Sequence, residues 1–123
     1  EHIWANHFKR HKQEFANEYE FWEYRNRIGG LLLLPKSFNA SYGDLTYKRK
    51  LRHYNSQNLL ARSLHPQCYD RNPQFLKYKA DSSLPFKAHL EFKKTDLAKR
   101  QALYQKIAEE IWDVARLQIE VTE

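Results

Sequence analysis

Apolar and polar residues alternate along this chain with several different periods, and each period predicts a different element. Phe15, Tyr19 and Trp22 recur at intervals of four and three, with Glu14 and Glu18 between them, which predicts an amphipathic helix over residues 12–25. Gly29 and Gly30 break that pattern, and four consecutive Leu follow at positions 31–34 before Pro35. A run this short, bounded by Gly-Gly and Pro, predicts a strand buried on both faces, which Pro35 ends. Gly43 and Asp44 then mark a turn and an N-cap for a helix over residues 45–63, with Tyr47, Leu51, Tyr54 and Asn58 along one face. No period holds over residues 64–92, where His65-Pro66, Asn72-Pro73 and Leu84-Pro85 interrupt the chain. Phe75, Leu76, Tyr78 and Phe86 predict that this irregular stretch packs down as an ordered excursion. Thr95 or Asp96 caps a last helix, whose stripe is Leu97, Tyr104, Ile107, Ala108, Ile111, Val114, Ala115 and Gln118. At the other end, Ile3 and Trp4 favour extended structure, so residues 1–4 read as the end of a strand.

Length and composition narrow the picture. With 123 residues and no internal repeat, the chain is one domain with a single modest core. The hydrophobic content of 41%, with 15% aromatics, excludes wholesale disorder. The formal charge of +6 favours an anionic partner, nucleic acid or an acidic membrane face. Cys68 is the only cysteine, which excludes an intrachain disulfide and a Cys-rich zinc module and points to a reducing, cytoplasmic setting. No apolar run approaches the length of a membrane span, and no signal peptide is visible. The chain contains no Met and opens on Glu-His-Ile-Trp, so it is expected to be a C-terminal fragment of a larger protein.

The stretch from Arg27 to Asp44, read as strand, loop and the approach to a basic helix, is a device for placing Asn39. Its natural counterpart is the Glu1-His2 pair. A phosphodiester hydrolase needs a base to deprotonate water and a cation to stabilise developing charge. Neutral His suits the first task, and a carboxylate with an amide oxygen suits the second by binding a hard cation. Neighbours on a strand point to opposite faces, so Glu1 and His2 divide these tasks only at a strand end or a distortion. The plainer alternatives are a surface Glu1, a structural His2 and an Asx-turn Asn39. A rival reading groups His2, His7 and His11 as zinc ligands, although no Cys or acidic third ligand accompanies them. Lys50 shares the apolar face of its helix, so it either snorkels or finds an anion, and a bound phosphate is one candidate. Lys48 and Arg52, one helical turn apart, read as charges that track a phosphate backbone.

Taken in order, Glu1-His2-Ile3, Arg27-Ile-Gly-Gly-Leu-Leu-Leu-Leu-Pro35, Phe38-Asn39 and Tyr47-x-x-Lys50 resemble the C-terminal nuclease domain of GmrSD-type restriction endonucleases. That family is a branch of the HNH, or His-Me finger, nucleases. The later Gln57-Asn58-Leu59-Leu60-Ala61 and Ile111-Trp112 are similar to its C-terminal helices, so the resemblance spans nearly the whole chain. The resemblance implies an α+β, mostly helical fold, with a ββα-metal core and additional packing helices. It implies His2 as general base and Glu1 and Asn39 as ligands of one divalent cation, Mg²⁺ or alternatively Mn²⁺; for His7, a supporting role in the site and a simple surface position both stay open. It also implies DNA as substrate, a 3′-hydroxyl leaving group, a bacterial or archaeal restriction or phage-defence protein, and an N-terminal nucleotide-hydrolysing sensor domain. One position departs from the family pattern: Gly30 stands where the motif carries an Asn that braces the loop bearing the base. The expectation is therefore a metal-dependent DNA endonuclease. Its rivals are a catalytically silent nucleic-acid-binding module, in which Gly30 marks decay of the site, and a protein-interaction domain with an incidental charge.

Overall fold

Asn17 sets the start of the first helix. Its side chain accepts the Glu20 backbone N–H at 2.8 Å, and α1 runs Glu18–Arg25. The computed structural model describes residues 1–113, and among them six α-helices and three short 3₁₀ turns account for nearly all regular structure. The 3₁₀ turns are Phe8–His11, Ile28–Gly30 and Pro66–Tyr69. After α1 come α2 (Lys36–Tyr42), α3 (Tyr47–Tyr54), α4 (Leu59–Arg62), α5 (Pro73–Ser82) and α6 (Lys94–Ile111).

The late start of α1 changes which aromatics face inward. Phe15 lies before the helix and is buried with Phe21, whereas Tyr19, expected inside, is 74% exposed. These rings gather around Trp4, which lies 5.6 Å from Phe15, 5.9 Å from Phe21 and 6.1 Å from Phe92 between ring centroids. The Trp4 indole N–H is also satisfied, donating to the Phe92 carbonyl at 2.6 Å. Ile3, Leu32, Phe38, Leu51, Tyr54, Ala61, Leu64 and Leu97 complete this core.

The Leu run does not form the doubly buried strand that its composition predicts. His2 and Leu31 make a single antiparallel bridge. It is flanked by Ile3 N–H donating to the Gly30 carbonyl and Leu32 N–H donating to the Glu1 carbonyl, both at 2.9 Å. The ladder runs out at Glu1, and beyond it alternation takes over: Leu32 is buried and Leu33 is 91% exposed. The expected ββα core is therefore not confirmed: the described residues are mostly helical and hold no sheet, only one bridge, with α2 following. Asn39 lies within α2 rather than on a turn.

The helix expected over 45–63 is also divided. Thr46 rather than Asp44 occupies the N-cap of α3, and Asn58 caps α4 by accepting the Ala61 N–H at 3.1 Å. Asn at such a position competes for backbone donors and favours a new start over continuation. The excursion packs as expected, around Cys68, Phe75, Leu84 and Phe86, with Leu103 of α6 closing this second core. Its middle is helical, however, because Pro73 stands at the first turn of α5, where its missing N–H costs nothing.

The N-cap of α6 is Lys93 and not Thr95 or Asp96, which lie inside its first turn; Asp96 there accepts the Lys93 N–H at 2.9 Å. Leu97 then joins the first core and Leu103 the second, with the buried Arg100 between them. Arg100 donates to Ser63 Oγ at 2.9 Å, to the Leu60 carbonyl at 3.0 Å and to the Tyr104 hydroxyl at 3.0 Å. The guanidinium thus fastens α6 to the end of α4. Val114, Ala115 and Gln118 of the expected stripe lie outside the described residues. No helix among the described residues is long and apolar enough to cross a membrane.

Close approach of α6 explains both glycines. A Cβ on Gly29 would stand 2.5 Å from the Leu97 carbonyl oxygen, and one on Gly30 would stand 3.1 Å from Leu97 Cδ1 and 3.2 Å from the Arg25 carbonyl oxygen. The motif Asn expected at position 30 would have to displace this packing.

The rotation of α1 is testable by urea denaturation. Phe21→Ala is expected to cost about 3–5 kcal/mol, and Tyr19→Ala to stay within about 0.5 kcal/mol of the parent. Equal losses would contradict the orientation.

Candidate functional site

α3 carries Lys50 and Tyr54 one turn apart on its inward face, and both reach the same carboxylate. Lys50 Nζ lies 3.2 Å from Glu1 Oε2, and the Tyr54 hydroxyl donates to that oxygen at 2.9 Å. Lys50 also donates to the His2 carbonyl at 2.8 Å. The two charged side chains are 0% and 1% exposed, so this is an ion pair removed from water. Burial pushes the Lys50 ammonium below its ordinary value, with Glu1 acting against that shift. It pushes the Tyr54 hydroxyl up, and the Glu1 charge adds to the effect. The other carboxylate oxygen, Oε1, is buried and makes no hydrogen bond. The anion that Lys50 finds is thus Glu1, and the expected phosphate contact of this side chain gives way to a structural pair.

Successive residues on extended chain point to opposite sides, so Glu1 turns into the core and His2 turns out. His2 is half-buried, and its Nε2 lies 2.8 Å from Asn26 Oδ1 at the end of α1. Burial holds the His2 pKa below its ordinary value. The Arg25 charge and the N-terminal ammonium act in the same direction, against the Asn26 hydrogen bond and Glu1. The imidazole is consequently neutral near pH 7 and able to accept a proton.

Arg25 links His2 to a polar cavity of about 240 Å³. Its Nε donates to the Trp4 carbonyl at 2.8 Å, and it borders the cavity with Asn6, Asn39, Ala40, Ser41, Gly43 and Asp44. A Cβ on Gly43 would stand 2.6 Å from the Asn39 carbonyl oxygen and 3.0 Å from its Oδ1, so glycine leaves that amide uncrowded. His7 lies 3.6 Å from Asp44 at the same edge.

The structure brings some expected site residues together and separates others. Asn39 shares its cavity with Arg25 and Asp44. Glu1 borders a different one, lined by Leu31, Leu32, Leu60 and Tyr104 among others. Oxygen donors suited to a hard cation therefore gather at Asn39, from Asn6, Ser41 and Asp44, while Glu1 already faces the Lys50 ammonium. The pair Glu1–Asn39 does not fit a single shared ion in this arrangement. Among the described residues no group of three or more His, Cys, Asp and Glu is placed to hold a metal. The three histidines of the zinc reading disperse: His2 to Asn26, His7 to Asp44, and His11 to Glu14 beneath the Trp4 and Phe21 rings. Lys48 and Arg52 are exposed and line another cavity with His65 and Glu91.

Sequence reasoning missed Arg25, Asn26, Tyr54 and Asp44 as members of this site. Tyr54 had a signal, its four-residue spacing from Lys50. Arg25 and Asn26 had none, since their partners Trp4 and His2 are more than twenty positions away.

Comparison with known proteins puts the domain in the class of restriction-endonuclease domains. Residues 1–107 match the family described as GmrSD restriction endonucleases, C-terminal domain, and the chain belongs to that family. No curated protein and no solved structure matches the chain.

The buried pair is open to a thermodynamic test by urea denaturation. Lys50→Met alone is expected to destabilise by about 3–5 kcal/mol, because it leaves a carboxylate buried without its cation. Adding Glu1→Gln should recover most of the loss. A double variant no more stable than Lys50→Met would contradict the pairing.

Proposed function

We propose that the chain is the DNA-cleaving domain of a restriction endonuclease, with His2 as the general base. The observation that carries this reading is the half-buried, neutral imidazole of His2 near Arg25, which itself borders a polar cavity, in a member of a restriction-endonuclease family. His2 accepts a proton from a water molecule. The resulting hydroxide attacks phosphorus, and the 3′ oxygen departs to leave a 5′-phosphate. Arg25, whose Nε already donates to the Trp4 carbonyl, is a positioned cation for the charge that develops on the phosphate oxygens. Lys48, Arg49 and Arg52 on the exposed side of α3 supply contacts to the DNA backbone that carry affinity without sequence preference.

A divalent cation, Mg²⁺ or Mn²⁺, is part of the proposal. When bound it supplies charge neutralisation at the phosphate. Support for its place comes from the oxygen donors around Asn39, away from Glu1, which is held by Lys50. We also assign target choice to another part of a longer protein, an N-terminal nucleotide-hydrolysing domain, because the matched family is described as C-terminal.

Nicking of supercoiled plasmid in Mg²⁺ tests the base. His2→Ala is expected to lower the rate by about 10²–10⁴-fold while salt-sensitive DNA binding persists. Equal activity in parent and variant would remove His2 from catalysis. DNA binding without any cleavage by the parent would favour the silent binding module.

The same assay gives a pH profile. Burial and the nearby Arg25 charge hold the His2 pKa below the ordinary 6.5, against the Asn26 hydrogen bond and the Glu1 charge. The rate should therefore rise with pH to a midpoint below 6.5 and level off above it. A midpoint above 6.5 would show that another group is the base.

A further inference from the structure

Gly30 leaves the family's bracing residue absent, yet His2 is held at two points. Lys50, wholly buried, donates to the His2 carbonyl at 2.8 Å and is itself fixed by Glu1 at 3.2 Å. Tyr54 holds the same Glu1 oxygen at 2.9 Å, so the one side chain that reaches the His2 backbone, Lys50, is fixed by a carboxylate that is itself held. At the ring, Nε2 lies 2.8 Å from Asn26 Oδ1. We infer that Lys50 and Asn26 are the positioning residues of His2: Lys50 anchors its backbone, and Asn26 orients its imidazole so that Nδ1 is the basic atom.

The chemistry of each contact supports this division. An ammonium can only donate, and a fully buried one must be satisfied, so the Lys50 bond to the His2 carbonyl is an obligatory contact. A neutral imidazole has one donor nitrogen and one acceptor nitrogen, and a bond from Nε2–H to an amide oxygen leaves Nδ1 as acceptor. Asn26 is presented by the end of α1, where its backbone N–H is bonded to the Trp22 and Tyr24 carbonyls. Its position is therefore set by the helix and not by His2. The Gly30 carbonyl takes part too, accepting the Ile3 N–H at 2.9 Å and holding the residue after the base. The brace on His2 thus comes from α1 and α3.

This inference rests on the reading of His2 as base, and two measurements separate their failures. The first is independent of cleavage: NMR relaxation of the His2 ring carbons, which reports the amplitude of ring motion. Asn26→Ala, a change at an exposed position, and Lys50→Met, studied at a temperature where circular dichroism shows it folded, should each increase that motion. The second is plasmid nicking. Each variant should lower kcat by about 10²-fold, the cost of a misplacement of about 1 Å, with KM within about twofold because DNA contacts are untouched.

Either variant with parental ring motion and parental kcat would overturn its point of the brace. A raised KM with unchanged kcat in Lys50→Met would also overturn it, by showing a phosphate contact in its place. If His2→Ala cleaves as well as the parent, the base assignment falls, and the ring relaxation still decides whether Lys50 and Asn26 hold the imidazole.

Discussion

The Glu1–Lys50–Tyr54 cluster is the interaction on which the rest of this structure depends. An ammonium and a carboxylate that are 0% and 1% exposed exist there only because each satisfies the other. Desolvating two charges costs several kcal/mol per ion, and that cost is offset by short contacts: 3.2 Å between the charges, 2.9 Å from Tyr54 and 2.8 Å to the His2 carbonyl. Three separate parts of the chain are joined as a result. The N-terminal residues lie on α3, α3 lies on the core, and the Leu31 bridge follows from where the N-terminal residues are held.

From that anchor the separation of inside and outside follows by geometry. Alternation along the extended N-terminal residues sends Glu1 inward and His2 outward, then returns Ile3 to the core. The carboxylate that binds the segment down and the imidazole that turns outward are therefore adjacent in sequence and opposite in environment. Burial acts on both. It makes the Glu1–Lys50 contact obligatory, and it keeps His2 uncharged, with Arg25 adding to the effect. A buried ion pair and a half-buried imidazole thus occupy two consecutive residues, with the Lys50 bond to the His2 carbonyl between them.

The other half of the architecture is the docking of α6. Its approach to the Ile28–Gly30 turn is close enough that a side chain at Gly29 would collide with the helix backbone. Leu97 and Leu103 place the helix over both cores, and Arg100 ties it to α4 through Ser63 and the Leu60 carbonyl. A side chain at Gly30 would likewise press on Leu97 and the Arg25 carbonyl, which would have to give by a few tenths of an ångström.

Much of this was legible along the chain. The ordered excursion, the inward face of α3 with Leu51 and Tyr54, and the existence of the last helix all rest on local spacing, and local spacing is what periodicity reports. The family was legible from the order of short motifs, and Lys50 stood out because a charge on an apolar face demands a partner. Where local signals compete, the outcome was not legible. Asn17 and Asn58 cap helices at points where apolar spacing alone runs on, and the Leu run makes one bridge and no sheet among the described residues. The site lay furthest from view. Glu1 to Lys50, His2 to Asn26 and Trp4 to Arg25 are pairings over long sequence separations, and no local pattern encodes them. Sequence alone determined which residues could carry charge or accept a proton and which helices could form. Tertiary packing decided which of those groups met, because a carboxylate chooses between a lysine and a metal by what the fold brings within about 3 Å of it.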